Sequence, residues 1–209
     1  MSSLQNPIKP AAPSRPTPPA TRATKLRRAK GISLVECCTV LAVLGVLSTA
    51  AVGGSGGLLQ RQWDQRLTSL GASQLQAALN LARSEALKTG RRAVVCQSVD
   101  GQQCASAGAW SQGWMVFRDA NNDAQRDDGE AVVMVTPALA AGLQISGNAS
   151  IARYVSFQPD GSAATAAGAF QAGTFTICRS GSPEKTGKQI VLSATGRTRQ
   201  QEASPATCT

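Results

Sequence analysis

The sequence predicts an α+β fold, with one long N-terminal helix packed on an antiparallel β-sheet domain. Three observations carry this expectation. From Ile32 to Val52 the chain is apolar and holds one ionisable residue, Glu36. From Leu58 to about Thr89, apolar residues recur at gaps mostly of three and four, the period of an amphipathic helix. From Arg92 onward, short β-branched or aromatic runs alternate with Gly, Pro, Asn and Asp. The 209 residues leave room for one domain plus an anchor, not for two large domains.

Residues 1–31 read as an extended, disordered arm, Pro-rich from Pro7 to Pro19. They hold seven of the 21 basic residues and no acidic one, so the rest of the chain carries 14 basic against 12 acidic. Most of the net charge of +9 therefore belongs to this arm, where it would keep that end in the cytoplasm beside a membrane span. Residues 32–53 are expected to be that span. A carboxylate at the centre of such a helix costs roughly 2.5–3.5 kcal/mol on insertion scales, so Glu36 needs a compensating partner. Two plainer readings also fit the segment. One is a signal anchor that tolerates an acidic residue near its end. The other is a secretory signal cleaved near Ser48-Thr49-Ala50, against which the acidic residue argues.

Next comes Gly53-Gly54-Ser55-Gly56-Gly57, which would weaken a helix by roughly 1 kcal/mol per glycine relative to Ala and is expected to act as a joint. Residues 54–90 then form the amphipathic half of the helix. Its expected apolar stripe is Leu59, Trp63, Leu67, Leu70, Leu75, Leu79, Ala82 and Ala86, and Gly90 ends it. Residues 91–209 form the β-rich domain, with strands expected at 93–97, 113–118, 131–135, 144–146, 152–158, 173–179 and 189–193. Pro159-Asp160-Gly161 marks a turn, and the Ala/Gly-rich 163–172 reads as a mobile loop.

Cys37 and Cys38 fall in the apolar segment and behave there as small apolar residues. Cys96, Cys104, Cys178 and Cys208 fall in the soluble part, where an exported domain would form two disulfides out of three possible connectivities. The expected pairs are Cys96–Cys104, favoured by local closure, and Cys178–Cys208. A zinc site would be the competing use, but the chain has neither a C-x-x-C pair nor a histidine.

Gly31-Ile32, with Glu36 at the fifth position counted from Ile32 and an apolar helix beyond, resembles the processing site of type IV prepilins. Where that family usually carries Phe or Met, this chain has Ile32. The resemblance implies cleavage after Gly31 by a prepilin peptidase, N-methylation of Ile32, and pairing of Glu36 with a neighbouring subunit's terminal amine during assembly. Such pairing would compensate a buried carboxylate. The segments 74–86, 110–119 and 196–199 are similar to the FimT/GspH group of minor pilins and pseudopilins, so the similarity runs from about Lys30 to Arg199. It implies a type IV pilin-like fold and contacts with other pilins or pseudopilins. It also implies a single-pass inner-membrane location with a periplasmic domain, before assembly into a pilus.

Gly196-Arg197-Thr198-Arg199 is the foremost candidate site. Glycine permits a tight turn, and alternate residues of an extended segment point the same way. Two guanidiniums on one exposed edge can grip phosphates in bidentate fashion. In the FimT branch a Gly-Arg-x-Arg segment at this place is associated with binding double-stranded DNA during natural transformation, which the resemblance extends to Gly196, Arg197 and Arg199. Lys185 and Lys188, with Arg153 and Arg179, would widen the patch if the fold gathers them. The plainer alternative is a solvated basic strand end. Asp119, Asn121, Asp123 and Glu130 match the spacing of an EF-hand calcium loop, but Ala124 stands at its glycine position and strands flank it, so an acidic turn without a metal is expected. Trp114 alternates with Val116 as a core residue would, while Trp110 is open to a base-stacking role. No histidine, nucleophile elbow or phosphate loop is present, so neither an enzyme nor a cofactor is expected.

Overall fold

The computed structural model describes residues 33–181, 187–203 and Cys208; the side chains at 46–56, 58, 60 and 149 fall outside that description. Gly31, Ile32 and Lys185 lie outside the described residues. The chain divides into two compact units, Met1–Thr49 and Ala50–Thr209. Helix α1 spans Leu34–Thr89, and its backbone stays helical across Gly53–Gly57, where a joint was expected. Among the described residues no helix is long and apolar enough to cross a membrane. The span expected over 32–53 is represented there, with side chains, only by residues 33–45.

The second unit is built from eight strands. These are β1 (Arg92–Gln97), β2 (Trp114–Asp119), β3 (Val132–Thr136), β4 (Leu143–Gly147), β5 (Tyr154–Phe157), β6 (Gly173–Arg179), β7 (Gly187–Leu192) and β8 (Thr198–Ala203). They form two antiparallel sheets, ordered β3-β2-β1-β5 (the first) and β4-β6-β7-β8 (the second). The seven expected strands are all present within a few residues, and β8 is additional. Its sequence, TRQQEA, is too polar to announce a strand.

One core joins the helix to both sheets. Leu75, Ala78, Leu79, Ala82 and Ala86 of α1 meet Val95, Trp114 and Val116 of the first sheet and Ile145, Phe175, Ile177 and Ile190 of the second. Trp110 lies in this core, edge-on to Phe175 with ring centroids 5.2 Å apart.

The expected stripe of α1 holds only from Leu75 onward. Leu59, Trp63 and Leu70 are 55%, 62% and 59% exposed, whereas Asp64 is 5% exposed and Thr68 is buried. Asp64 is turned inward because Arg179 of β6 reaches it, with Nε 2.6 Å from Oδ1. A paired, hydrogen-bonded ion has displaced the apolar side that periodicity alone would bury.

Both expected disulfides are formed, Cys96–Cys104 and Cys178–Cys208, with Cα atoms 5.6 and 5.5 Å apart. The Pro159-Asp160-Gly161 turn is closed by the Gly161 amide donating to Gln158 O at 2.8 Å. Segment 163–172 was expected to be mobile but is tied down. Buried Gln171 accepts from the Ser156 amide and donates to the Ser150 and Tyr154 carbonyls, while Arg92 donates to Thr165 O.

Candidate nucleic-acid interface on the second sheet

Strands β7 and β8 are joined by a four-residue turn, Ser193 to Gly196, in which the Gly196 amide donates to Ser193 O at 2.9 Å. Gly196 sits at φ 75° and is buried. A Cβ there would overlap the Gly161 carbonyl oxygen and stand 3.0 Å from Arg83 Nε. The glycine of the Gly-Arg-x-Arg segment thus answers to a positive φ and a close approach of two loops.

Beyond the turn, β8 is an edge strand with its two sides clearly assigned. Thr198 Oγ1 donates to Asn80 Oδ1 (3.1 Å), and Gln200 Nε2 donates to Gln76 Oε1 (2.6 Å), so these residues face α1. Alternation along the strand sends Arg199 and Gln201 to the opposite side, and Gln201 bonds Gln189 across the ladder at 2.8 Å. Arg197 and Arg199 are both exposed, and neither makes an ion pair among the described residues. Two residues apart in extended chain, their Cα atoms are spaced by roughly 6.6 Å.

The outer face of the second sheet continues from these arginines. Gln144 and Ser146 of β4, Thr174 and Thr176 of β6, and Gln189 and Val191 of β7 lie on it, because their neighbours Ile145, Phe175, Ile177 and Ile190 fill the core. Apart from Val191 these side chains are hydroxyls and amides, half-buried or exposed, and none of these strand positions carries a carboxylate.

The other basic candidates are not gathered there. Lys188 lies on the opposite side of β7 from Gln189 and Val191, paired at the surface with Glu202. Arg179 is spent on Asp64. Arg153 directly precedes β5 of the first sheet, lining a cavity of about 380 Å³ with Asp123, Tyr154 and the Cys96–Cys104 bridge.

Arg83 is the residue that sequence reasoning missed. Its Nε donates to Gly161 O (2.9 Å) and its Nη2 to Thr195 O (3.3 Å), joining two turns that are far apart in sequence. Gln76, Asn80 and Arg83 recur at helical spacing on one face of α1, a pattern that reads from sequence only as a polar face.

The acidic segment 119–130 closes on itself. Asp119 accepts the amides of Asn122 (2.6 Å) and Ala124 (2.9 Å), and Glu130 accepts those of Ala120 (2.6 Å) and Asp127 (3.1 Å). Burial pushes the Asp119 carboxyl above its ordinary value of 3.8, against the pull of these amides. Asn122 and Ala124 take positive φ, 68° and 61°, and Ala124 is buried under the first sheet. Among the described residues no group of three or more His, Cys, Asp or Glu side chains could hold a metal ion. Trp110 is fully buried with Nε1 donating to the Ile151 and Ala152 carbonyls, so no base can stack on it. Trp114 is core as expected. Glu36 is exposed in the first turn of α1, where the positive end of the helix dipole suits a carboxylate.

Residues 71–196, more than half of the chain, match the family model described as type II transport protein GspH. The chain belongs to the GspH family. The family description sets this GspH-family chain with type II transport proteins. No curated protein matches its sequence. Similar solved structures include the type IV minor pilin FimU of Pseudomonas aeruginosa strain PAO1, at 21% identity and TM-score 0.49, covering 66% of this chain and 90% of that one. Another is the minor pseudopilin EpsH from the type 2 secretion system of Vibrio cholerae, at 15% identity and TM-score 0.45, covering 65% of this chain and 96% of that one.

Proposed function

We propose that this GspH-family chain is a minor type IV pilin that binds double-stranded DNA for uptake in natural transformation. The observation that carries the reading is the pair Arg197 and Arg199. Both are exposed and free of ion pairs among the described residues; Arg199 lies on the outer side of β8 beside a polar face without carboxylates, and Arg197 directly precedes that strand. Guanidiniums so placed can contact phosphates, while hydroxyl and amide groups can serve sugar and phosphate oxygens without reading sequence. With no aromatic side chain on the described strands of that face, base stacking is not part of the mechanism, which favours a duplex over an unpaired strand.

In this reading a prepilin peptidase cuts after Gly31 and Ile32 is N-methylated. Residues 32–53 hold the chain in the inner membrane with its domain in the periplasm, and Glu36 pairs with a neighbouring pilin during assembly. The chain's own part is binding, not catalysis. The family description favours a second reading, a type II secretion pseudopilin that uses the same anchor against other pseudopilins.

The test is duplex binding by the full chain in detergent micelles across a salt series, against a variant carrying Arg197→Ala and Arg199→Ala. The reading expects salt-sensitive binding, with the slope of log K against log salt reduced in the variant by about 1.8, or ~0.9 per lost phosphate contact. Equal binding by both proteins would remove the site. No binding by the folded wild type would leave the secretion pseudopilin or a pilus-priming subunit without a ligand.

A further inference from the structure

We infer that Arg83 is the positioning residue of the arginine site, holding the β7–β8 turn so that Arg197 and Arg199 leave it on the solvent side. The inference rests on the DNA reading for its functional consequence, and on geometry alone for its structural one. Arg83 projects from α1 and reaches two carbonyls on two separate turns, Gly161 O at 2.9 Å and Thr195 O at 3.3 Å. Thr195 immediately precedes Gly196, whose positive φ sets the direction in which the chain enters β8. One turn earlier on the helix, Asn80 holds Thr198, the residue between the two arginines. The helix therefore grips the segment on both sides of Arg197, and only the outward side is left for the guanidiniums.

The chemistry requires an arginine. A planar guanidinium presents Nε and Nη2 in a fixed fork and can hold both carbonyls at once, while it remains charged and half-exposed at the surface. A lysine would keep the charge but offer one compact donor head, so the two turns would no longer be locked to each other. The bonding pattern at Arg83 is also specific in place. Its side-chain hydrogen bonds go to these two turns, so its loss should loosen the turns it joins and not the domain.

The experiment is Arg83→Lys in the full chain, in detergent micelles with both disulfides formed, measured in two ways. Amide hydrogen exchange should quicken at least tenfold at Gly196, Arg197 and Thr198 while Val94 and Val116 stay as in the wild type. Affinity for a 30-base-pair duplex should fall about tenfold, and combining Arg83→Lys with Arg197→Ala and Arg199→Ala should cause no further loss, as expected of residues acting through one another. Unchanged exchange at 196–198 overturns the assignment whatever the DNA result. An additive loss of affinity overturns it too, because Arg83 would then touch the duplex itself or act through general stability. A wild type that binds no duplex removes the DNA reading, and exchange alone then decides whether Arg83 fixes the turn. Should Arg83→Lys not fold, Asn80→Ala takes its place, with about threefold effects at the same amides and the same non-additivity.

Discussion

The two sheets share a core and differ on their outer faces. On the first, Val94, Cys96, Met115 and Phe117 face outward yet are buried, sealed beneath Ala124 of the acidic loop, Cys104 of the disulfide loop and Tyr154. On the second, the outward positions carry hydroxyls, amides, Val191 and Arg199, half-buried or exposed. Each sheet is pinned by one disulfide, but the first bridge closes a lid over its sheet and the second ties down the chain beyond β8. One sheet is thus a structural layer covered on both sides, and the other is a layer with a face to offer.

The largest effect should come from what the sheets share. Trp110→Ala removes a buried ring from between them together with its hydrogen bonds, and should cost about 3–5 kcal/mol. Urea unfolding followed by probes in each sheet should still give one transition. Two transitions would mean that the sheets do not form a single cooperative layer.

The disulfides separate the sheets next. Opening Cys178–Cys208, with a sequence separation of 30, should cost about 3.6 kcal/mol by loop entropy, and Cys96–Cys104, with a separation of 8, about 2.5 kcal/mol. Paired Cys→Ser variants in chemical denaturation would check both the order and the gap.

The outer faces can be compared directly. Phe117→Ala should cost about 3–5 kcal/mol although its side chain points away from the common core, because the lid encloses it. Gln189→Ala on the open face should stay within about 0.5 kcal/mol. Equal costs would mean the second face is as structural as the first.

The smallest contrast is in acid. Burial raises the Asp119 carboxyl in the folded first sheet, so its contribution is fully present below the ordinary 3.8 and is lost as pH rises through the raised value. Hydrogen bonds from Ser162 lower the Asp160 carboxyl beside the β7–β8 turn, so its contribution is present above 3.8 and lost as pH falls through the lowered value. Asp119→Asn and Asp160→Asn should therefore tilt the stability–pH profile in opposite directions, the first above the ordinary 3.8 and the second below it.

Much of this contrast was legible in the residues. The strand runs, the Pro159-Asp160-Gly161 turn, the two cysteine pairs and the helix from Leu75 to Ala86 each follow from local pattern. What was not legible depended on partners distant in sequence. Leu59, Trp63 and Leu70 look like core until Arg179 draws Asp64 inward and turns that end of the helix around. Strand β8 is polar on both sides because one side meets solvent and the other meets Gln76 and Asn80, so no hydrophobic alternation marks it. Lys188 looks like a companion of the arginines until strand register puts it on the other side, with Glu202. The arginine pair itself was visible, and the residue that aims it was not.

The bridge from Cys178 to Cys208 makes residues 178–208 a covalent ring that contains β7, its turn and β8. A strand at the edge of a sheet is ordinarily the first to peel when something bound to it is pulled. Here a load applied at Arg199 enters β6 along two covalent routes, the backbone through β7 and the sulfur bridge behind it. Tension on a long bound polymer would be shared across the sheet, and a hold on the ring could not be lost by unravelling the chain from its end.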